Sequence, residues 1–135
     1  MILLGNNLIR ARSVKQRLVS KSSSESELIA IDDALNSVIE ISNLCKELNI
    51  YNVPTLYQDN LSTIQMIKNG KQFDGRSSHI RKRYYYIKEL VSNKEINLEH
   101  MPTEFMKADI LTKPLTGYLF KKMKQWILNN EEGID

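Results

Sequence analysis

Apolar residues recur along this chain with two periods, one suited to strands and one to helices. "MILLGNNLIRA" (1–11) reads as two short strands joined at Gly5 and Asn6, residues that tolerate positive φ. "RSVKQRLVS" (12–20) is basic and β-branched and predicts a strand followed by a loop. Ser22, Ser23 and Ser24 can start a helix, and Glu27 stands three residues after Ser24, the spacing of a capping box. The helical pattern then runs to about Leu48, with Asn49 as its stop. "VPTLYQD" (53–59) predicts a strand entered through Pro54. Asn60 or Ser62 caps a short helix that stops near "NGK" (69–71), and "FDGRSS" is a loop.

"HIRKRYYYIKELV" (79–91) predicts a second amphipathic helix with Ile80, Tyr84, Ile87 and Val91 on one stripe. "EINLEHM" (95–101) alternates as a strand and is ended by Pro102. "EFMKADILTK" predicts a further helix stopped by Pro114. A last helix, "GYLFKKMKQWILNN", carries Leu119, Phe120, Met123, Trp126 and Ile127 as its packing residues. This order predicts α/β layers, with helices against a partly parallel sheet.

One polar residue breaks the pattern. At ~100° per residue, Ile31, Ala34, Val38, Ile41 and Cys45 fall within about 40° of Glu27, while Glu25, Asp32, Asn36, Glu40, Asn43 and Glu47 crowd the opposite side. A carboxylate on a buried stripe must be paired, protonated or metal-bound. The alternative is a first-turn acid that serves the helix cap. Asp59 ends a predicted strand just before a helix, where α/β sheets gather ligands, or else is an ordinary turn aspartate. Asp109 in "MKADILTK" follows the last strand and has the same two readings. If the three converge, their mutual repulsion calls for a hard divalent cation such as Mg²⁺. A pair of such ions is a standard device for phosphodiester hydrolysis.

The rest of the sequence narrows the class. With 135 residues, 41% hydrophobic and 26% charged, the chain has enough for one globular domain with one core. No apolar run approaches the roughly 20 residues of a membrane span, and "MILL" is too short for a signal-peptide core. A single cysteine, Cys45, excludes an internal disulfide and suits a reducing, intracellular compartment; on the apolar stripe it reads as a core thiol. The net charge of +3 permits a polyanionic partner without demanding one.

"SKSSSESELIA", "LYQDNLSTIQMIKN", "RSSHIRKRYYYIKELV" and "HMPTEFMKADILTKPL", in this order and spacing, resemble the ribonuclease H domain of copia-type LTR-retrotransposon Pol polyproteins. "VKQRLVSKSSSESE" resembles the segment leading into that domain's first helix. The likeness covers about Met1 to Leu128. It implies a ribonuclease H-like mixed sheet flanked by helices, and two Mg²⁺ (or Mn²⁺) ions held by acids that cut the RNA strand of an RNA·DNA hybrid. Glu27 matches the family's helix glutamate, Asp59 the aspartate at the end of its fourth strand, and Asp109 its last aspartate. These three would be both catalytic residues and metal ligands.

The family's first aspartate lies on a strand upstream of the hairpin that "MILLGNNLI" resembles. The resemblance therefore implies an N-terminally truncated domain over 1–129, a frayed tail at 130–135, and impaired activity of the isolated chain. For the substrate, Arg76, His79 and Arg83 are spaced i, i+3, i+7 and can hold phosphates, with Lys15 and Arg17 extending the track. Asn60 and Ser62 can donate to a phosphate or a 2′-hydroxyl. The resemblance makes the reverse transcriptase portion of the polyprotein a further partner. Two other readings stand beside the nuclease: a non-catalytic remnant that binds nucleic acid or reverse transcriptase, and a metal-independent interaction domain whose acids only cap helices.

Overall fold

The structure is a computed structural model that describes residues 1–16, 19–20, 22–69 and 78–128. Arg17, the "FDGR" segment, Arg76 and the 130–135 tail lie outside the described residues. The chain divides into two compact units, Gln16–Met101 on one hand and Met1–Lys15 with Pro102–Asp135 on the other.

The larger unit opens with α1, Ser23–Glu47. Its N-cap is Ser22, whose hydroxyl accepts from the Glu25 N–H at 3.1 Å, so the predicted pairing of Ser24 with Glu27 is not the cap. Glu27 is left without a capping duty. The helix ends where sequence placed it. Asn49 adopts a left-handed φ of 60°, and the Asn49 and Ile50 N–H groups donate back to the Lys46 and Cys45 carbonyls, the double bond of a Schellman stop. Strand β3, Thr55–Gln58, follows, then α2, Leu61–Lys68, capped by Asn60, whose side chain accepts from the Thr63 N–H at 3.2 Å. Helix α3, Ser78–Ser92, closes with a second left-handed residue, Lys94, and β4 is Asn97–His100.

Strands β3 and β4 run parallel in a two-stranded sheet, with Thr55 opposite Asn97 and Gln58 opposite His100. A parallel pair needs cover on its faces. Here α1, α2 and α3 supply apolar side chains: Leu28, Ile31, Leu35, Ile64, Ile67, Ile80, Tyr84, Ile87 and Leu90 form one cluster with Ile96 and Leu98 of the β4 segment. The fully buried Tyr84 donates its hydroxyl to the Met66 carbonyl at 3.1 Å, and burial raises its phenol above the ordinary value.

In the second unit β1, Ile2–Leu4, and β2, Asn7–Arg10, form an antiparallel hairpin turned at Gly5 with φ 59°. Two 3₁₀ turns, Thr103–Phe105 and Lys107–Leu111, precede α4, Gly117–Leu128. Met123 and Ile127 are the buried residues of α4, and Phe105 stacks on Trp126 with centroids 6.4 Å apart.

Four further expectations are corrected. Residues 11–16 form no strand. "EFMKADILTK" is two 3₁₀ turns rather than a helix, because Met106 takes an extended ψ of 90° and breaks the run between them. Leu119 and Phe120 are exposed, since the buried side of α4 is the one carrying Met123 and Ile127. The apolar face of α1 is centred near Leu28, Ile31 and Leu35 rather than on Glu27; Glu27 and Cys45 sit half-buried at its edge.

Candidate functional site

Two of the predicted acids lie in the Gln16–Met101 unit and share one end of the parallel sheet. Alternation along β3 sends Leu56 and Gln58 to one side of the strand and leaves Tyr57 exposed. Gln58 is the last strand residue and only 5% exposed. Its side-chain Nε2 donates to Glu27 Oε2 at 2.9 Å, and its Oε1 accepts from the Asn60 N–H at 3.0 Å. A helix carboxylate, the carboxyl end of β3 and the cap of α2 are thus joined through one amide. Asp59, half-buried, stands between Gln58 and Asn60.

Gln58 went unread in the sequence, although its signal is the one that exposed Glu27: a polar residue on the apolar side of an alternating element. A cleft of about 590 Å³ lies at the other end of β3, lined among others by Ile39, Lys46, Pro54, Tyr86 and Ile96, and contains none of the three predicted acids.

Asp109 belongs to the other unit. It is 9% exposed and lies in the second 3₁₀ turn, where Lys113 Nζ stands 2.6 Å from its Oδ2. The lysine supplies the compensating charge that a buried carboxylate needs.

The predicted cations and donors are distributed as follows. Arg83 is committed to α1: its Nη1 lies 2.6 Å from Asp32 Oδ2 and 2.9 Å from Asp33 Oδ1. This pairing places Asp32 away from the purely solvated face its position suggested. Burial pushes the Asp32 carboxyl up, against the opposing pull of Arg83, and Asp33 adds to the rise. His79 is exposed in the first turn of α3, and Ser62 is exposed in the first turn of α2. Asn60 is half-buried and used as a cap. Lys15 is exposed in the irregular segment that ends the hairpin unit's first stretch. Arg76 is outside the described residues.

For a divalent cation the donors agree in kind, since Glu27, Asp59 and Asp109 offer only hard carboxylate oxygens. They fall short in number: among the described residues no group of three or more His, Cys, Asp or Glu could hold a metal ion.

Among the described residues the chain is an α/β protein with two separate two-stranded sheets, one antiparallel and one parallel, in place of the single mixed sheet expected. Its homologues are more specific: they are copia/Ty1-type retrotransposon Pol polyproteins. The chain is 30% identical over 129 residues to the retrovirus-related Pol polyprotein from transposon RE2 of Arabidopsis thaliana and 31% identical over 123 residues to that from transposon RE1 of the same plant. It is 29% identical over 129 residues to the transposon Ty1-NL2 Gag-Pol polyprotein of Saccharomyces cerevisiae. These alignments take in 94%, 90% and 94% of the chain but 9%, 8% and 7% of the relatives, so the chain spans less than a tenth of the proteins it matches. No family model matches the chain, and no solved structure does. Among the described residues no helix is long and apolar enough to cross a membrane.

Proposed function

We propose that this chain corresponds to the ribonuclease H segment of a Pol polyprotein and acts on the RNA strand of RNA·DNA hybrids. The observation that carries the reading is the Glu27–Gln58–Asp59 junction, where an acid from α1 is brought to the carboxyl end of β3 one residue from a second acid. Mg²⁺ or Mn²⁺, when bound, would activate a water for attack on the phosphodiester and stabilise the leaving oxygen. Glu27 and Asp59 would offer oxygens to the ions, and Asp109 is the third acid of the set by resemblance. His79 and Lys15, both exposed, are free of any fold-building duty described above and would meet phosphates. Ser62, exposed beside the α2 cap, would donate to a sugar 2′-hydroxyl. Arg83 would contribute through its hold on α1 rather than by touching substrate. The reverse transcriptase portion of the same polyprotein is the partner this reading implies.

A second reading, a non-catalytic module that binds hybrid or reverse transcriptase, draws on the shortfall of metal donors among the described residues. One assay separates the two. The full chain is incubated with a labelled hybrid and Mg²⁺ or Mn²⁺, with and without an upstream polyprotein segment. The nuclease reading expects cleavage that is lost in Glu27→Gln and Asp59→Asn. Hybrid binding without cleavage under every condition would leave the binding module.

A further inference from the structure

We propose that Gln58 is the positioning residue of the Glu27 carboxylate, holding one of its oxygens so that the other is presented to a ligand. This inference rests on the ribonuclease H reading of the same junction. An amide side chain has two ends, and at Gln58 the surroundings decide which way it points. Oε1 faces the Asn60 backbone N–H at 3.0 Å, a group that can only donate. Nε2 must then face Glu27 Oε2, at 2.9 Å, and the flipped amide would set donor against donor at Asn60. A hydrogen bond to an ionised carboxylate is about twice as strong as a neutral one, and Gln58 makes it at 5% exposure, where little water competes.

Three consequences follow for Glu27. Its side chain is long and sits at the edge of the apolar face of α1, so without a partner it would sample several rotamers. Gln58 selects one. Oε2 is committed to the amide, which leaves Oε1 as the oxygen available to a cation or to water and disposes Glu27 to act through a single oxygen. The same amide ties that geometry to the turn that carries Asp59 and to the Asn60 cap of α2. Partners of this kind, which orient a ligand without touching the ion, typically govern metal affinity or activity by 10–100-fold.

The test has two arms on the full chain. In the first, nitrogen-15 NMR follows the Gln58 side-chain amide with no metal present. The Nε2 proton that faces Glu27 is expected to be shifted downfield of its place in an unbonded glutamine and slow to exchange with solvent, and Glu27→Ala should return it toward the unbonded position and speed its exchange roughly tenfold or more as the charge-assisted bond is lost. An amide unchanged by Glu27→Ala would overturn the proposal. In the second arm, Gln58→Met is expected to lower kcat for hybrid cleavage by roughly 10–100-fold with KM within about twofold. A conservative core variant outside the hydrogen-bonded junction, Ile67→Val, controls for lost stability and should keep its kcat. Wild-type kcat in Gln58→Met also overturns the positioning role. If the wild-type chain cleaves no hybrid either with or without the upstream segment, the ribonuclease reading fails by itself, and the NMR arm still decides whether Gln58 holds Glu27.

Discussion

The Gln16–Met101 unit gathers apolar side chains from three helices and a strand into one cluster. The unit made of Met1–Lys15 and Pro102–Asp135 buries Met123, Ile127 and a carboxylate, Asp109, and leaves Tyr118, Leu119 and Phe120 exposed. The first is held by hydrophobic burial, which is non-directional and sums over many contacts. The second leans on a few specific pairs: Lys113 with Asp109, Phe105 with Trp126, and Lys122 Nζ 4.7 Å from the Trp126 ring. The difference teaches where substitution is tolerated. A dense core spreads a loss over neighbours that relax only in part, whereas a pair fails when one partner goes.

Each unit has its own reporter, because Trp126 is the chain's one tryptophan and α1 dominates the helical signal of the larger unit. The strongest challenge to the comparison is Leu35→Ala, at a fully buried cluster position. It should cost about 2–5 kcal/mol, read as a lowered denaturation midpoint by far-UV circular dichroism. A cost under ~1 kcal/mol would mean the cluster is not what holds the unit.

Lys113→Met should cost less, about 1–2 kcal/mol, between the values for exposed and fully buried pairs, because Lys113 is itself half-exposed. It should register in Trp126 fluorescence at lower denaturant than in the helical signal. Coincident, unshifted transitions would erase the distinction between pair-held and core-held units.

Thr63→Val sharpens the comparison from the other side. The Thr63 hydroxyl is buried with no hydrogen-bond partner among the described residues, so an isosteric apolar side chain should be neutral or stabilise by roughly 0.5–1 kcal/mol. A clear loss of stability would point to a partner for that hydroxyl.

The smallest expected effect is a slope. The Asp32 carboxyl is raised by burial, so the folded chain holds its proton longer than the unfolded chain does. Its contribution to stability is therefore complete below the ordinary aspartate value of 3.8 and is lost as pH rises through the higher folded value. Thermal midpoints of Asp32→Asn should lack this decline just above pH 3.8, and identical pH profiles for variant and wild type would refute the assignment.

The boundaries of α1 and α2 were legible because they are local. Serine and asparagine oxygens satisfy free N–H groups at Ser22 and Asn60, and Asn49 accepts the left-handed stop. The β3 and β4 segments were legible through alternation, although their parallel pairing follows from the connection through α2 and α3 rather than from either strand. The face of α1 was read about a quarter-turn off. The pattern made Glu27 its centre, and packing against α2 and α3 chose Leu28, Ile31 and Leu35 instead. "EFMKADILTK" misled because its composition suits a helix; the extended Met106 and the bonds from Asp109 N–H to the Met106 carbonyl and from Thr112 N–H to the Asp109 carbonyl divide it into short turns.

Sequence alone determined which side chains cap, alternate and break the apolar pattern, because those effects act within a few residues. It also carried the likeness to Pol polyproteins. Tertiary structure decided which of the unusual polar residues meet. Glu27 finds Gln58, Arg83 finds Asp32 and Asp33, and Asp109 finds Lys113. The first two are partnerships between residues distant in the chain, and no local period encodes them. They form because a charge drawn toward an apolar interior must take whichever partner the packed chain brings within reach.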